Sequence, residues 1–402
     1  MMRWLAALAC AGFLLAQRPP VEDAWDLLAK GQRKEAIHLL REIVKTHPRD
    51  ADARLLLGSV LMEEGEREES IAQLTEAVRL RPRSAEAQNA LGEAFNSFDN
   101  PKAARGPFEK AVELNPRLAQ ARVNLGMVLL EAGAFEEAAR HLDRGIELLG
   151  QTADAAYPHY LRAKVYTEQS DVEKAAAQLK QAVGLRPDFA EAWSDLGEAR
   201  KTLLDDAGAL AAFERAVAIS PEDGVAQTRL GLEYLNQGKT HVAVEHLQVA
   251  ARLDPGNQST LYNLQRALRE DGCTEQADQV KKKLAELLRA KDRSDQNLLV
   301  GIQLNSQGAE LEKGGNLRAA LEKYRAALEL YPEHVGIRTN FAVALLRLGH
   351  WREGLAQLRE ALRRDPDNVT LKAALEDALA QAPVEFGGKG KTVNSPKTEA
   401  KH

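Results

Sequence analysis

Residues able to do chemistry are sparse in this chain and poorly spaced for it. His241 and His246 form the closest histidine pair. Five residues apart, they miss the spacing of three or four that would place two ligands on one helix face. Gly390-Lys391-Thr392 looks like the end of a phosphate-binding loop, but the earlier glycine such a loop needs falls on Glu385, and no strand precedes it. There is no G-x-S-x-G, no Cys-x-x-Cys and no His-Glu-x-x-His. Cys273 falls in an expected turn between helices without a nearby thiol or metal partner, and reads as inert. Glu63-Glu64 and the run Lys281-Lys282-Lys283 read as solvated helix faces. The sequence therefore predicts no enzyme: no catalytic residue, no metal and no cofactor.

What remains is a chain built to position surfaces. Of its 402 residues 44% are hydrophobic and 28% charged, an ordered balance, while aromatics make up only 5%. Plentiful Ala and Leu favour helices packed through small side chains over a sheet rich in β-branched residues. A net charge of −5 gives no basic face for nucleic acid.

The first residues predict export. Met1-Met2-Arg3 is a basic start, Trp4 to Ala16 is an uncharged apolar run too short to span a bilayer comfortably, and Gln17-Arg18-Pro19-Pro20 breaks it. Residues 1–16 read as a signal peptide cut after Ala16, although Leu14 is a poor residue two places before it. The product is then periplasmic or secreted, and Cys273 has no partner for a disulfide within the chain. Two alternatives stay open: a membrane anchor over residues 4–16, the one route to a membrane, and acylation at Cys10, where Ala7-Leu8-Ala9 fits a lipobox poorly.

The dominant signal is internal repetition. Pro48, Pro82 and Pro116 are 34 residues apart, as are Pro187, Pro221 and Pro255, and again Pro332 and Pro366. Leu57-Gly58, Leu91-Gly92 and Leu125-Gly126 keep the same beat, as do Leu196-Gly197 and Leu230-Gly231. Ala36, Ala104, Ala138, Ala175, Ala209, Ala243, Ala277 and Ala320 mark a further position. Units of this length are supersecondary pieces that cannot bury an apolar face alone and must stack.

From residue 17 to roughly 366 this pattern resembles the tetratricopeptide repeat, with Trp, Leu-Gly, Tyr, then Ala, Phe, Ala and Pro in each unit. Residues 190–223 fit best, carrying Trp193, Leu196, Gly197, Ala209, Phe213, Ala216 and Pro221. The resemblance implies an all-α, right-handed superhelical solenoid of antiparallel helix pairs, A and B, with about ten units plus a C-terminal capping helix. The glycine lets helix A approach helix B, Phe108, Phe213 and Tyr324 fill the space between hairpins, and the proline ends helix B. Turns at Gly65, Gly133, Gly238 and Gly272 join the helices.

Departures from the pattern set the expected boundaries. Gly150 replaces a proline, Arg162-Ala163 replaces Leu-Gly, and Leu264-Gln265 stands in a unit without its proline. Pro255 and Pro332 are separated by two repeats plus nine residues. The expected organisation is units 1–8 over 17–291, a linker over 292–300, units 9–10 and the cap over 301–382, and a disordered tail over 383–402. Val369 to Gln381 reads as the cap.

In this family ligands lie along the A helices, at positions 2, 5, 6, 9, 12 and 13 of each unit. The resemblance thus implies a groove for a protein or peptide lined by Tyr157, Tyr160, Lys164, Asp195, Lys201, Arg229, Tyr262, Asn263, Arg266 and Arg269, with Ser194, Glu198, Thr228 and Leu232 beside them. Tyr and Arg supply contact area with a polar tip. Asn124, Asn263 and Asn340 at position 6 look like the asparagine ladder of O-linked N-acetylglucosamine transferases, interrupted here by Leu161, Asp195, Arg229 and Ser306. The expected function is a non-catalytic binding scaffold. Alternatives are an accessory subunit of an envelope export, pilus or polysaccharide machine, or a carrier for a separately encoded glycosyltransferase.

Overall fold

The structure is a computed structural model that describes residues 20–383 apart from 367. The expected signal peptide, and the expected tail beyond Pro383, lie outside the described residues. The chain divides between Pro255 and Gly256 into two compact units. The first contains α1 (Pro20–Ala29), α2 (Arg33–Thr46), α3 (Ala51–Glu63), α4 (Arg67–Leu80), α5 (Ala85–Ser97), α6 (Pro101–Leu114), α7 (Ala119–Glu131), α8 (Phe135–Leu149), α9 (Ala156–Glu168), α10 (Val172–Leu185), α11 (Ala190–Thr202), α12 (Asp206–Ile219), α13 (Gly224–Asn236) and α14 (Thr240–Leu253). The second contains α15 (Gln258–Glu270), α16 (Thr274–Lys313), α17 (Leu317–Leu330), α18 (Val335–Arg347), α19 (Trp351–Arg364) and α20 (Val369–Gln381). Both are all-α stacks of antiparallel pairs, and α20 is the expected terminal helix.

Side chains cap several of the A helices. Asp50, Ser84, Asp223 and Asn257 accept hydrogen bonds from the first amides of α3, α5, α13 and α15. The tight A–B turns need a left-handed residue, supplied by Gly65, Gly133, Gly238 and Gly272 with φ between 73° and 81°. Where glycine is missing, Asp99, Ser170 and Leu204 take that conformation instead.

Inside six pairs the repeat glycine accepts a knob from helix B. A Cβ on Gly197 would stand 2.5 Å from Cδ1 of Phe213, and one on Gly92 would stand 2.5 Å from Cε1 of Phe108. Gly58, Gly126, Gly231 and Gly308 face Leu74, Leu142, Leu247 and Tyr324 in the same way. Phe108, Phe213 and Tyr324 are fully buried, and beyond the glycine each belongs to a core cluster with the following pair: Phe108 with Val123 and Leu129, Phe213 with Leu230, and Tyr324 with Phe341 and Leu345. The rings thus fill the space between pairs as expected, and within a pair as well.

The repeat proline has a second use. Its carbonyl accepts a hydrogen bond from the fourth residue of the following A helix: Arg54 Nε to Pro48 (2.9 Å), Arg122 Nε to Pro116 (2.7 Å), Trp193 Nε1 to Pro187 (3.0 Å) and Gln227 Nε2 to Pro221 (2.8 Å). In the second unit Arg338 donates to Pro332 likewise. The proline thus ends one helix and fixes the start of the next.

The linker expected over 292–300 is absent: that segment lies inside α16, a continuous helix of 40 residues. The extra residues suggest an extended helix B followed by a loop; helix B is extended, but through 292–300 it does not break. Physically nothing stops the helix, because no proline or glycine occurs from Thr274 to Val300 and the segment is rich in Lys, Ala, Leu and Arg. The division between compact units falls one repeat earlier, at Pro255–Gly256.

Candidate partner-binding groove

Successive A helices touch one another directly, α3 with α5, α5 with α7 and α7 with α9, and so form the inner face of the first unit. There α7, α9 and α11, with Arg229 from α13, Phe135 from α8, and Val172, Ala175 and Leu179 from α10, line a groove of about 880 Å³. Six expected residues line it: Tyr157, Tyr160, Lys164, Asp195, Glu198 and Arg229.

Tyr157 and Tyr160 stack with ring centroids 6.4 Å apart, and Tyr160 packs on Phe189 at 4.9 Å. The Tyr157 hydroxyl donates to Sδ of Met127 at 3.3 Å, and its ring keeps 37% of its surface exposed. Burial, aided by Glu131, holds the Tyr157 hydroxyl above the usual phenol range. Burial and the Asp195 carboxylate push Tyr160 further. Both rings therefore stay neutral at physiological pH.

The groove's cations are already engaged. Arg229 Nη1 donates to Ser194 Oγ (2.7 Å) and Asp195 Oδ1 (3.1 Å), and its Nε lies 3.4 Å from Glu198. Lys164 Nζ lies 3.9 Å from Asp195 Oδ2 and 5.2 Å from the Tyr160 ring centre. Lys201, expected in the groove, does not line it; its Nζ lies 3.3 Å from Oε2 of buried Glu233.

Tyr262, Asn263, Arg266 and Arg269 lie on α15, in the second compact unit. Tyr262 is exposed there. Asn263 is buried and donates to the Ser259 carbonyl of its own helix at 2.9 Å. Arg266 and Arg269 lie 3.7 Å from Glu270 and 3.6 Å from Asp278.

The asparagines at position 6 act inside the fold. Asn124 Nδ2 donates to Asn89 Oδ1 of the preceding pair at 3.1 Å, and Asn340 Nδ2 to Asn305 Oδ1 at 2.9 Å. Arg229 reaches back to Ser194 over the same 35 residues. These rungs tie one A helix to the next, so the position that resembled a peptide-holding ladder is largely occupied by the protein itself.

Glu131 and Glu168, the last residues of α7 and α9, also line the groove and were missed, as was Met127. The position rule already reached them, at 9 and 13 of their units. A preference for Tyr and Arg passed them over. Among the described residues, no group of three or more His, Cys, Asp or Glu side chains could hold a metal ion, and no helix is long and apolar enough to cross a membrane.

Fold and groove together define a helix-pair repeat protein with a lined inner face. The chain belongs to the tetratricopeptide-repeat family: models of that repeat match residues 27–94, 98–158, 163–203 and 312–383. It is similar to a TPR repeat-containing protein of Pseudomonas aeruginosa, 33% identical over 81 residues, covering 20% of this chain and 77% of that one. It is also similar to the Hsp70-Hsp90 organizing protein of Triticum aestivum, 34% identical over 101 residues, or 24% of this chain, and spans only 16% of that protein's length. The solved structure of Pseudomonas aeruginosa PilF aligns with a TM-score of 0.49 and 19% identity over 53% of this chain and 96% of that one.

Proposed function

We propose that the chain is a non-catalytic scaffold that holds a protein or peptide segment along the inner face of its first compact unit. The groove carries this reading: stacked Tyr157 and Tyr160 offer apolar area with polar tips on α9, which the Tyr157 hydroxyl ties to Met127 of α7. Membership of a family that includes an organiser of two heat-shock proteins supports a protein partner. The basic, apolar, small-residue order of residues 1–16 supports an exported protein, for which a mature terminus near Gln17 is the expected finding on N-terminal sequencing.

The test compares capture by three full-length chains: wild type, Tyr157→Ala, and Lys180→Ala on the exposed surface of α10. Proteins held by wild type and Lys180→Ala but lost from Tyr157→Ala place the partner in the groove. A central interface tyrosine costs about 1–3 kcal/mol when truncated, roughly a five- to hundredfold loss of affinity. Capture that survives Tyr157→Ala and fails with Lys180→Ala overturns the reading.

A further inference from the structure

Within the second compact unit, α16 exposes apolar side chains that a solvated helix does not need. Among the described residues eleven large apolar side chains are exposed, and four of them, Leu288, Leu299, Val300 and Ile302, lie on this one helix. The side of α16 that packs within the unit is marked by Gly301 and Gly308, which lie against the Ala327 carbonyl and the Tyr324 ring of α17. Ile302 stands about 100° round the helix from Gly301 and faces solvent.

A stripe runs along that open side. Leu284, Leu288, Lys291, Asp295, Leu298 and Ile302 follow one another at steps of 4, 3, 4, 3 and 4 residues. This is the heptad spacing that keeps one line of side chains facing a partner helix. Leu288, Lys291, Asp295 and Ile302 are exposed, and Leu284 and Leu298 are half-buried. The stripe is symmetric about Arg293. Lys291 and Asp295 lie equally far from it, as do Leu288 and Leu298, and Leu284 and Ile302. Turned end for end, the stripe meets its own copy with apolar residues opposite apolar ones and Lys291 opposite Asp295 twice. Neither charge is used within its own chain: among the described residues the two side chains enter no ion pair or hydrogen bond. They stand one turn apart with the cation first, the weaker order for pairing within a helix.

We infer that α16 is a self-association site, at which residues 284–302 pair antiparallel with the same segment of a second copy about a two-fold axis at Arg293. A two-fold contact uses one patch twice and requires it to be self-complementary, which this stripe is. Leu287 and Leu299 flank the stripe and add apolar area. Asp292 also flanks it and approaches its own copy near the axis, a like-charge contact that water and salt screen at an exposed site. The stripe is about 27 Å long, so the contact is small and the dimer reversible. This surface lies outside the proposed groove and does not depend on it.

Sedimentation velocity of the full-length chain from about 1 to 100 µM reads the association. Wild type is expected to shift from monomer to dimer across that range. Lys291→Asp and Asp295→Lys each set like charges opposite one another twice, and each is expected to weaken the dimer roughly tenfold. The double variant exchanges the two charges and is expected to restore it. An equal mixture of the two single variants is expected to form a heterodimer as tight as the wild-type dimer, because every facing pair is again opposite in sign. Leu288→Glu is expected to abolish the dimer. These sites are exposed, and matching melting curves at low concentration verify folding. A wild type that stays monomeric throughout overturns the inference. So does a dimer indifferent to either charge reversal or to Leu288→Glu. A double variant as weak as the single ones overturns the antiparallel register.

Discussion

In the pair α11–α12, Gly197 receives the ring of Phe213 and helix B stops before Pro221; in the pair α15–α16 the same slots hold Gln265 and Lys281, no proline follows, and helix B runs on to Lys313. The two regions share a 34-residue beat but not its physics. In the first, a missing side chain on helix A and a large one on helix B lock two helices together. In the second, both positions are polar, and residues 288–300 of α16 are almost entirely exposed, Leu299 and Val300 included. The comparison separates two jobs of the repeat: one pair of residues closes a hairpin, and another residue ends it. When both are lost the chain continues as a single helix, about 60 Å long at the standard rise.

The largest effect is expected where the lock is tightest. Gly197→Val places a branched side chain where even a Cβ collides with the Phe213 ring, and is expected to destabilise by about 2–4 kcal/mol. Gly184 lies on helix B of the neighbouring pair with nothing within 4 Å of a Cβ. Gly184→Ala is therefore expected to be neutral or stabilising by up to about 1 kcal/mol. Urea unfolding measures both, and equal midpoints for Gly197→Val and wild type would dissolve the contrast.

The second variant breaks the other half of the comparison. Asp292 sits mid-way along α16. Asp292→Pro removes a helical hydrogen bond and is expected to cost about 3 kcal/mol of local stability. Hydrogen exchange over residues 285–300 reads it directly. If that stretch were the loop its spacing suggests, exchange there would already be fast and the proline would change nothing.

These regions also mark how far the sequence could be read. The close approach of helices A and B at the repeat glycine, and the burial of Phe213 against the next hairpin, were legible from the 34-residue period. That the same ring also closes on Gly197, 16 residues earlier in its own hairpin, was not, because a period shows that residues are equivalent without showing every neighbour they face. The loop at 292–300 was misread for a similar reason: extra residues were counted, while the absence of any helix breaker was given no weight. In the groove, Tyr157, Tyr160, Lys164, Asp195, Glu198 and Arg229 were legible from position. The pairing that uses up Lys164 and Arg229 was not, since it depends on side chains from adjacent repeats meeting.

The smallest expected effect sharpens a comparison between inner-face rungs. In the first unit, Asn89 and Asn124 both donate to Oε1 of Glu93, at 3.0 and 2.9 Å. In the second, the rung Asn305–Asn340 has Ala309 at the position of Glu93. Burial pushes the Glu93 carboxyl above the usual range, and the two asparagine hydrogen bonds only partly oppose it. A raised value in the folded state means that the folded chain holds the proton more tightly than the unfolded one. The contribution to stability is then full below the unfolded value of about 4.3 and is lost as pH rises through the folded value. Above the folded value the rung carries a charge that the fold disfavours. Glu93→Gln keeps an oxygen to accept from both asparagines and cannot take on that charge, so it is expected to be the more stable of the two on the alkaline side. The gain is expected to fade toward pH 4, where wild-type Glu93 is protonated as well. Urea midpoints measured from about pH 4 to pH 8 trace the two curves apart. Curves that stay parallel would mean that burial exacts no penalty here, and that the carboxylate and alanine versions of the rung are electrostatically equivalent.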